Sequence, residues 1–144
     1  MFLSDIASAF MPDWNLRILT EHDALRICNE NSVHLVEDVN TRFGKIVFHR
    51  GYVFIVMNPD LSPAMRLWVL WHEIGHFMLH APASSRFTPM IERKNDREAN
   101  YLAAIALMPK TLVVGKTVDQ IIREYSYPRE LVNIRKQISE IDGI

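Results

Sequence analysis

The stretch that decides how this chain folds and what it can bind is Trp71-His72-Glu73-Ile74-Gly75-His76. Two histidines four positions apart lie on one face of an α-helix, close enough for both imidazoles to bind the same cation. The glutamate that follows the first histidine lies on the same side, where it can hold and deprotonate a water molecule beside the metal. The spacing therefore predicts a helix that carries two metal ligands and a general base.

The flanking sequence predicts that this helix is long and buried. Ser62-Pro63 offers an N-cap hydroxyl and then a proline at the first helical position, where its missing N–H costs nothing. Ala81-Pro82 ends the run, and the residues between are apolar on nearly all sides. Buried imidazoles and carboxylates need partners, because each unpaired polar group there costs several kcal/mol. A metal ion supplies that partner; the alternative is a helix whose histidines are satisfied by backbone carbonyls.

The identity of the third ligand separates the classes of zinc peptidase, since a tetrahedral catalytic site needs three protein ligands and one open position. A metzincin would have a glycine at position 79 and a histidine at position 82, but the chain has Leu79 and Pro82. That class is excluded. The thermolysin-like alternative takes a glutamate on a following helix as its third ligand.

Glu98 is the candidate for this third ligand. It stands at the start of an alanine- and leucine-rich segment that ends before Pro109 and has the character of a short packed helix. A structural alternative is equally compatible with the spacing, because Asn95 and Glu98 fit a capping box in which the glutamate binds the N-cap amide. The competing ligands are Glu92, Asp96 and His80.

Two stretches carry a resemblance to a known family. They are His72-Glu73-Ile74-Gly75-His76-Phe77-Met78-Leu79-His80 and Glu98-Ala99-Asn100-Tyr101-Leu102-Ala103-Ala104-Ile105-Ala106-Leu107-Met108-Pro109. In this order they resemble the ImmA/IrrE family of metallo-endopeptidases, whose pattern is His-Glu-(Leu/Ile)-Gly-His-x-x-Leu-His followed by Glu-Ala-Asn-x-Phe-Ala-Ala-x-Leu-Leu-Met-Pro. The resemblance extends over about residues 20 to 140.

The resemblance implies a zinc site and a substrate class. Carried over position by position, the Zn²⁺ ligands fall on His72, His76 and Glu98, and the catalytic glutamate falls on Glu73. Family members known for signalling cleave a helix-turn-helix repressor, which implies a protein substrate of that kind from a phage, another mobile element or a stress response. Trp71 departs from the alanine usual before the motif, and its bulk is expected to narrow the cleft.

Composition and charge set bounds on the class of protein. The chain has 144 residues, 49% of them hydrophobic, which predicts one soluble domain. Its net charge of −1 offers no broad attraction to nucleic acid or to an anionic membrane. The single cysteine, Cys28, suits a reducing cytosol and a place on the apolar face of an early helix. With no positively charged leader and no long apolar run, we expect a cytoplasmic protein.

Local signals predict an α+β fold that is mostly helical, with a small three-stranded sheet and a C-terminal helical pair, and the family resemblance implies that this fold is of the zincin-like type. Thr20 and Asp23 favour a capped helix that ends near Asn31. Strands are predicted at residues 33–37, 45–49 and 52–57, and a loop at 81–90. Residues 117–144 have the spacing of two amphipathic helices separated at Tyr127-Pro128. We expect a single domain over residues 1–144, with a catalytic core at 1–110 and a helical segment at 111–144.

Two functions are compatible with these features. The first is a zinc-dependent endopeptidase that acts on a regulatory protein. The second is a non-catalytic module that keeps a structural zinc and binds a repressor or toxin partner. Glu73 favours the enzyme, because a closed structural site has no use for a general base. The C-terminal helices predict either a docking surface or a cover for the core, and their balanced charges disfavour DNA binding.

Overall fold

The computed structural model describes residues 2–80 and 89–144 and confirms the α+β class. A three-stranded sheet lies against the long helix α3, and α3 in turn packs along α4. The elements of the described residues are α1 (Phe2–Phe10), α2 (Glu21–Glu30), β1 (Val33–Glu37), β2 (Gly44–His49), β3 (Tyr52–Met57), α3 (Pro63–His80), α4 (Pro89–Leu107), α5 (Lys110–Val113), α6 (Val118–Tyr125) and α7 (Arg129–Asp142). None of the helices in these two ranges is both long and apolar enough to cross a bilayer.

Helix α2 begins as its sequence predicts. The Thr20 hydroxyl accepts from the backbone N–H of Asp23 at 3.3 Å, and the Asp23 carboxylate accepts from the Thr20 N–H at 2.7 Å. Arg17 donates to both oxygens of Asp23, at 2.9 and 2.7 Å, and this hydrogen bonding holds the pKa of the Asp23 carboxyl far below its usual range. Cys28 lies on the buried face of α2, as predicted, where burial raises the pKa of its thiol to about 11.

The three predicted strands form one sheet in the order β1-β3-β2. Strand β3 pairs with β1 in parallel and with β2 antiparallel, so the strand latest in the chain is central. The β2–β3 turn is made by Arg50 and Gly51, whose φ angles of 50° and 80° are the left-handed values that a tight hairpin requires. Among the described strands β2 is therefore at an edge of the sheet, and it lies beside α3.

Helix α4 begins at Pro89, earlier than the sequence predicts. Proline is favoured at the first position of a helix, but the sequence analysis placed Pro89 in the preceding loop. Asn95 is therefore inside the helix, so the capping-box explanation for Glu98 is wrong. Of the predicted loop at 81–90, residues 81–88 lie outside the described residues, and 89–90 are helical.

The predicted C-terminal helical pair is confirmed as α6 and α7, of which α7 packs against α4. Arg135 of α7 is fully buried and donates to the carbonyl oxygens of Met108 and Ile144 at 2.5 and 2.6 Å. Its guanidinium also donates to Asn15 at 3.2 Å. Helices α1 and α5 had no counterpart in the sequence predictions.

Candidate metal centre

Helix α3 brings together His72, Glu73 and His76, whose potential ligand atoms all lie within 4.8 Å of one another. The Nε2 atoms of the two histidines are 3.0 Å apart. The helix forms as predicted, since the Ser62 hydroxyl accepts from the N–H of Met65 at 3.3 Å. One turn separates the histidines, so both imidazoles project from the same face towards α4.

A carboxylate oxygen of α4 forms a triangle with the Nε2 atoms of the two imidazoles. Asp96 of α4 places Oδ1 2.9 Å from Nε2 of His76 and 3.4 Å from Nε2 of His72. Ligand atoms that share a tetrahedral zinc ion at bond lengths of about 2.1 Å lie roughly 3.4 Å from one another. The nitrogen–nitrogen–oxygen set therefore fits one small divalent cation.

The other sequence-predicted ligand lies elsewhere on α4. Oε1 of Glu98 is 3.6 Å from Nε2 of His80 and 3.9 Å from Nζ of Lys94. Residues two positions apart on a helix point in nearly opposite directions, so Asp96 and Glu98 do not face the same point. Of these two carboxylates, Asp96 is the one that the structure brings to the imidazole pair. Glu92 lines a cavity beside His76.

Burial sets the protonation of the central groups. Glu73 is 5% exposed, and its burial, with a smaller contribution from the charge of Asp96, raises the pKa of its carboxyl to about 7. Burial, followed by the charge of His72, lowers the pKa of His76 to about 4. A neutral imidazole is the form that binds a metal, and a carboxylate with a pKa near neutrality suits proton transfer.

Asn100 is a site residue that the sequence analysis did not assign. Its Oδ1 lies 2.7 Å from Nδ1 of His72 and accepts from Nε1 of Trp68 at 3.0 Å. A hydrogen bond to the outer nitrogen of a ligand histidine fixes its tautomer and ring orientation. The signal was present in the sequence, because Asn100 follows Asp96 by four residues and so shares its helix face.

Two cavities open on either side of the centre. One, of about 320 Å³, adjoins His76 and is lined by residues of β2 and α4; the other, of about 470 Å³, adjoins His72. Gly44, Glu73 and Asp96 line both, so the centre lies where the cavities meet. The expectation that Trp71 narrows this cleft is wrong, since its side chain is 1% exposed within the core.

Comparison with known proteins agrees with this geometry. Residues 42–121 match the Peptidase M78 family, described as the IrrE N-terminal-like domain, and include every residue of the centre. "Uncharacterized immunity region protein 2" of Bacillus phage phi105 is 35% identical over 99 residues. The aligned part is 61% of this chain and 61% of that protein, so the chain spans less than two thirds of the relative. No solved structure matches. Because the family match covers more than half of the chain, the protein belongs to the Peptidase M78 (ImmA/IrrE) family of metallopeptidases.

Proposed function

We propose that this protein is a zinc-dependent endopeptidase that hydrolyses a peptide bond in a regulatory protein. The observation that carries the proposal is the triangle of His72, His76 and Asp96 donor atoms beside the buried carboxylate of Glu73. Two imidazoles and one carboxylate are a ligand set of catalytic zinc sites, in which one position stays open. The cavities on both sides give a substrate access to that position.

For the third ligand, the sequence predicts Glu98 and the distances favour Asp96. We adopt Asp96, because its oxygen lies within 3.4 Å of both imidazole nitrogens while Glu98 lies beside His80. A glutamate reaches one methylene farther than an aspartate, so the helices must approach closely for Asp96 to bind. The contact between Gly75 and Ala99 provides this approach, since a Cβ on Gly75 would lie 3.0 Å from Cα of Ala99.

Proton transfer in this reaction is assigned to Glu73. When bound, Zn²⁺ supplies the Lewis acidity that activates water and polarises the scissile carbonyl. A carboxylate oxygen of Glu73 accepts the proton of the attacking water and then delivers it to the leaving amine. Asn100 keeps His72 in the tautomer that leaves its Nε2 free for the metal.

An extended substrate segment has a natural place along β2. Within residues 2–80 and 89–144 this strand pairs with β3 alone, and four of its residues line the cavity next to His76 (Gly44, Lys45, Ile46 and Phe48). Main-chain hydrogen bonds to such an edge hold a peptide in an extended conformation. We propose that the substrate pairs with this edge, with its scissile bond between the two cavities.

The proposed substrate is a helix-turn-helix repressor of a phage, mobile element or stress response, met in the cytoplasm. Similarity to a phage immunity-region protein and the ImmA/IrrE resemblance support it. Direct contact with nucleic acid is not part of the proposal, given the net charge of −1. The alternative, a zinc-containing module that binds a repressor or toxin without cutting it, leaves the buried Glu73 without a role.

The Glu73→Gln variant tests this proposal. We expect it to retain one zinc per chain and to lose hydrolysis by about 100-fold or more, because the amide cannot accept the proton. Zinc is measured by elemental analysis, and cleavage by mass spectrometry of a peptide library incubated with the zinc-loaded protein. His72→Ala is the matched variant that loses the metal.

Cleavage by Glu73→Gln at the wild-type rate would remove Glu73 from the mechanism. A wild-type protein that binds zinc but cuts neither the library nor a helix-turn-helix repressor would favour the binding module.

A further inference from the structure

The nitrogen of His76 that faces away from the candidate metal centre has its own partner. Nε2 of His76 faces His72 and Asp96, whereas its Nδ1 lies 3.0 Å from Nδ1 of His80. A hydrogen bond between two imidazoles requires a proton on one nitrogen and a lone pair on the other. Metal binding at Nε2 leaves the proton of neutral His76 on Nδ1, so His76 is the donor and His80 is the acceptor.

This assignment determines the state of the second nitrogen of His80. A neutral imidazole that accepts at Nδ1 carries its proton on Nε2. Nε2 of His80 is buried and has no hydrogen-bond partner within the described part of the chain. The carboxylate oxygen Oε1 of Glu98 is 3.6 Å away, just beyond hydrogen-bond distance. A hydrogen bond between the two requires Oε1 to move slightly closer, and the Glu98 side chain, 22% exposed, is not fully enclosed.

We propose that Glu98 and His80 form an outer relay, Glu98–His80–His76, that fixes the tautomer and the ring orientation of His76. Both are positioning residues, and the inference rests on the metal site of the proposed function. This relay gives a role to His80, which the proposed reaction does not use. It also gives Glu98 a role other than that of the zinc ligand predicted from the sequence. Asn100 does the same for His72, so α4 orients both imidazoles of α3.

Helix geometry explains why these residues meet. His80 follows His76 by one turn of α3 and therefore lies on the same face. Asp96 and Glu98 point to different sides of α4, so one helix can present a carboxylate to the Nε2 pair and another to His80. Lys94, one turn before Glu98, lies 3.9 Å from the same Oε1 atom and balances its charge on the exposed side.

The test is the zinc affinity of the purified chain, measured by competition with a chromophoric chelator. We expect Glu98→Ala and His80→Ala each to keep one zinc per chain but to bind it about 10- to 100-fold more weakly. Glu98→Gln retains an oxygen that accepts from His80, so its affinity is expected to stay close to that of the wild type. The double variant is expected to be no weaker than His80→Ala, because the relay passes through His80.

Two further variants serve as references for the measured zinc affinities. Asp96→Ala is expected to lose stoichiometric zinc, as befits a ligand. Glu140→Gln makes the same charge change at an exposed position of α7 and is expected to match the wild type. Melting temperatures of all the variants without zinc show whether each is folded.

A second readout reports the tautomers directly. In long-range nitrogen–proton NMR spectra of the zinc-loaded wild type, we expect the proton of His76 on Nδ1 and that of His80 on Nε2. A change in folding stability alone would not move these protons. In His80→Ala, the Nδ1 proton of His76 is expected to exchange faster with water.

Three results would overturn the relay. Loss of stoichiometric zinc in both Glu98→Ala and Glu98→Gln would make Glu98 a ligand. Wild-type affinity in Glu98→Ala and His80→Ala would show that neither positions His76, and a proton on Nδ1 of His80 would exclude the donor order. Failure of the proposed function is distinguishable, because a wild type that binds zinc but cleaves no substrate would overturn the peptidase and leave these readouts of the relay intact. A wild type that binds no zinc would overturn the metal site on which both rest.

Discussion

Three charged side chains are buried among the described residues. The groups that surround each one indicate whether it stabilises the fold or is available for proton transfer. Asp23, 7% exposed, is bound by Arg17 and by the α2 cap. Arg135, 0% exposed, donates to carbonyl oxygens. Glu73, 5% exposed, instead faces the histidine pair, with Oε1 3.9 Å from Nε2 of His72. A buried carboxylate held beside metal-binding imidazoles, and not by an arginine or a helix cap, is suited to proton transfer.

Asp23→Asn tests the structural kind of buried charge. The native pKa of Asp23 lies below the unfolded value of about 3.9, so its stabilisation is present above that pH and is lost as the pH falls through the native pKa. We expect the variant to lose about 1 kcal/mol of unfolding free energy at pH 7 and the difference to shrink steadily below about pH 4. Urea denaturation at several pH values measures this.

Asp13→Asn is the matched control, since Asp13 binds the same arginine at 3.1 Å but is 55% exposed. It is expected to change stability by less than about 0.5 kcal/mol. A loss in Asp23→Asn that stayed constant down to pH 2 would contradict the assignment.

At the scale of elements, the contact between α3 and α4 sets the geometry of the site. A Cβ on Gly75 would lie 3.0 Å from Cα and 3.1 Å from the carbonyl oxygen of Ala99, so glycine permits the two helices to touch through their backbones. Helix α3 carries His72 and His76, and α4 carries Asp96. The separation of the helices therefore controls the distances among the donor atoms.

Gly75→Ala is expected to push the helices apart. Alanine favours a helix by about 1 kcal/mol over glycine, but the overlap with Ala99 costs roughly 1 to 3 kcal/mol, so we expect a net loss of stability. Zinc affinity is expected to fall as well, because the oxygen of Asp96 recedes from the imidazoles. Thermal unfolding and chelator competition measure the two effects.

Gln137→Ala, at an exposed position of α7, is the control: it shows how much a substitution by alanine on a helix surface changes stability and zinc affinity. A Gly75→Ala variant that melts higher than the wild type and binds zinc equally well would show that the close approach is not needed.

At the scale of the whole molecule, the C-terminal helices are joined through α4 to the part of the chain that carries the candidate metal centre. The Tyr127 hydroxyl donates to the carbonyl oxygen of Leu107 at 3.2 Å, and that of Tyr101 donates to Asp142 at 2.9 Å. Arg135 links α7 to Asn15 and to the end of α4 near Met108. Division into a core at 1–110 and a helical segment at 111–144 stays a prediction, and these contacts indicate that the two parts unfold together.

Arg135→Leu tests this coupling. It removes the donor for two carbonyl oxygens in a buried site, so we expect a loss of roughly 3 kcal/mol in unfolding free energy. Unfolding followed by circular dichroism and by tryptophan fluorescence is expected to remain a single coincident transition, with zinc stoichiometry unchanged. Lys136→Ala serves as the comparison variant. In the wild type, the partly buried ammonium of Lys136 donates to the carbonyl oxygen of Val113. Separate transitions with the two probes would show that the C-terminal helices unfold on their own.

The sequence by itself determined the local structure. The α2 cap at Thr20, the turn at Arg50-Gly51, the start of α3 at Ser62-Pro63 and the separation of α6 from α7 at Pro128 all follow from signals within a few residues. The pairing of His72 with His76 belongs to the same class, because one helical turn brings them together.

Only the tertiary structure decided the strand order, with β3 central, and which carboxylate of α4 lies nearest the imidazole pair. Strand pairing depends on contacts between separate segments, which no local pattern encodes. Whether Asp96 or Glu98 faces the imidazoles depends on how α4 is rotated against α3. The close approach of Gly75 to Ala99 and the packing of α7 on α4 accompany the rotation in which Asp96 lies beside the histidines. The family motif, which encodes none of this packing, pointed to Glu98.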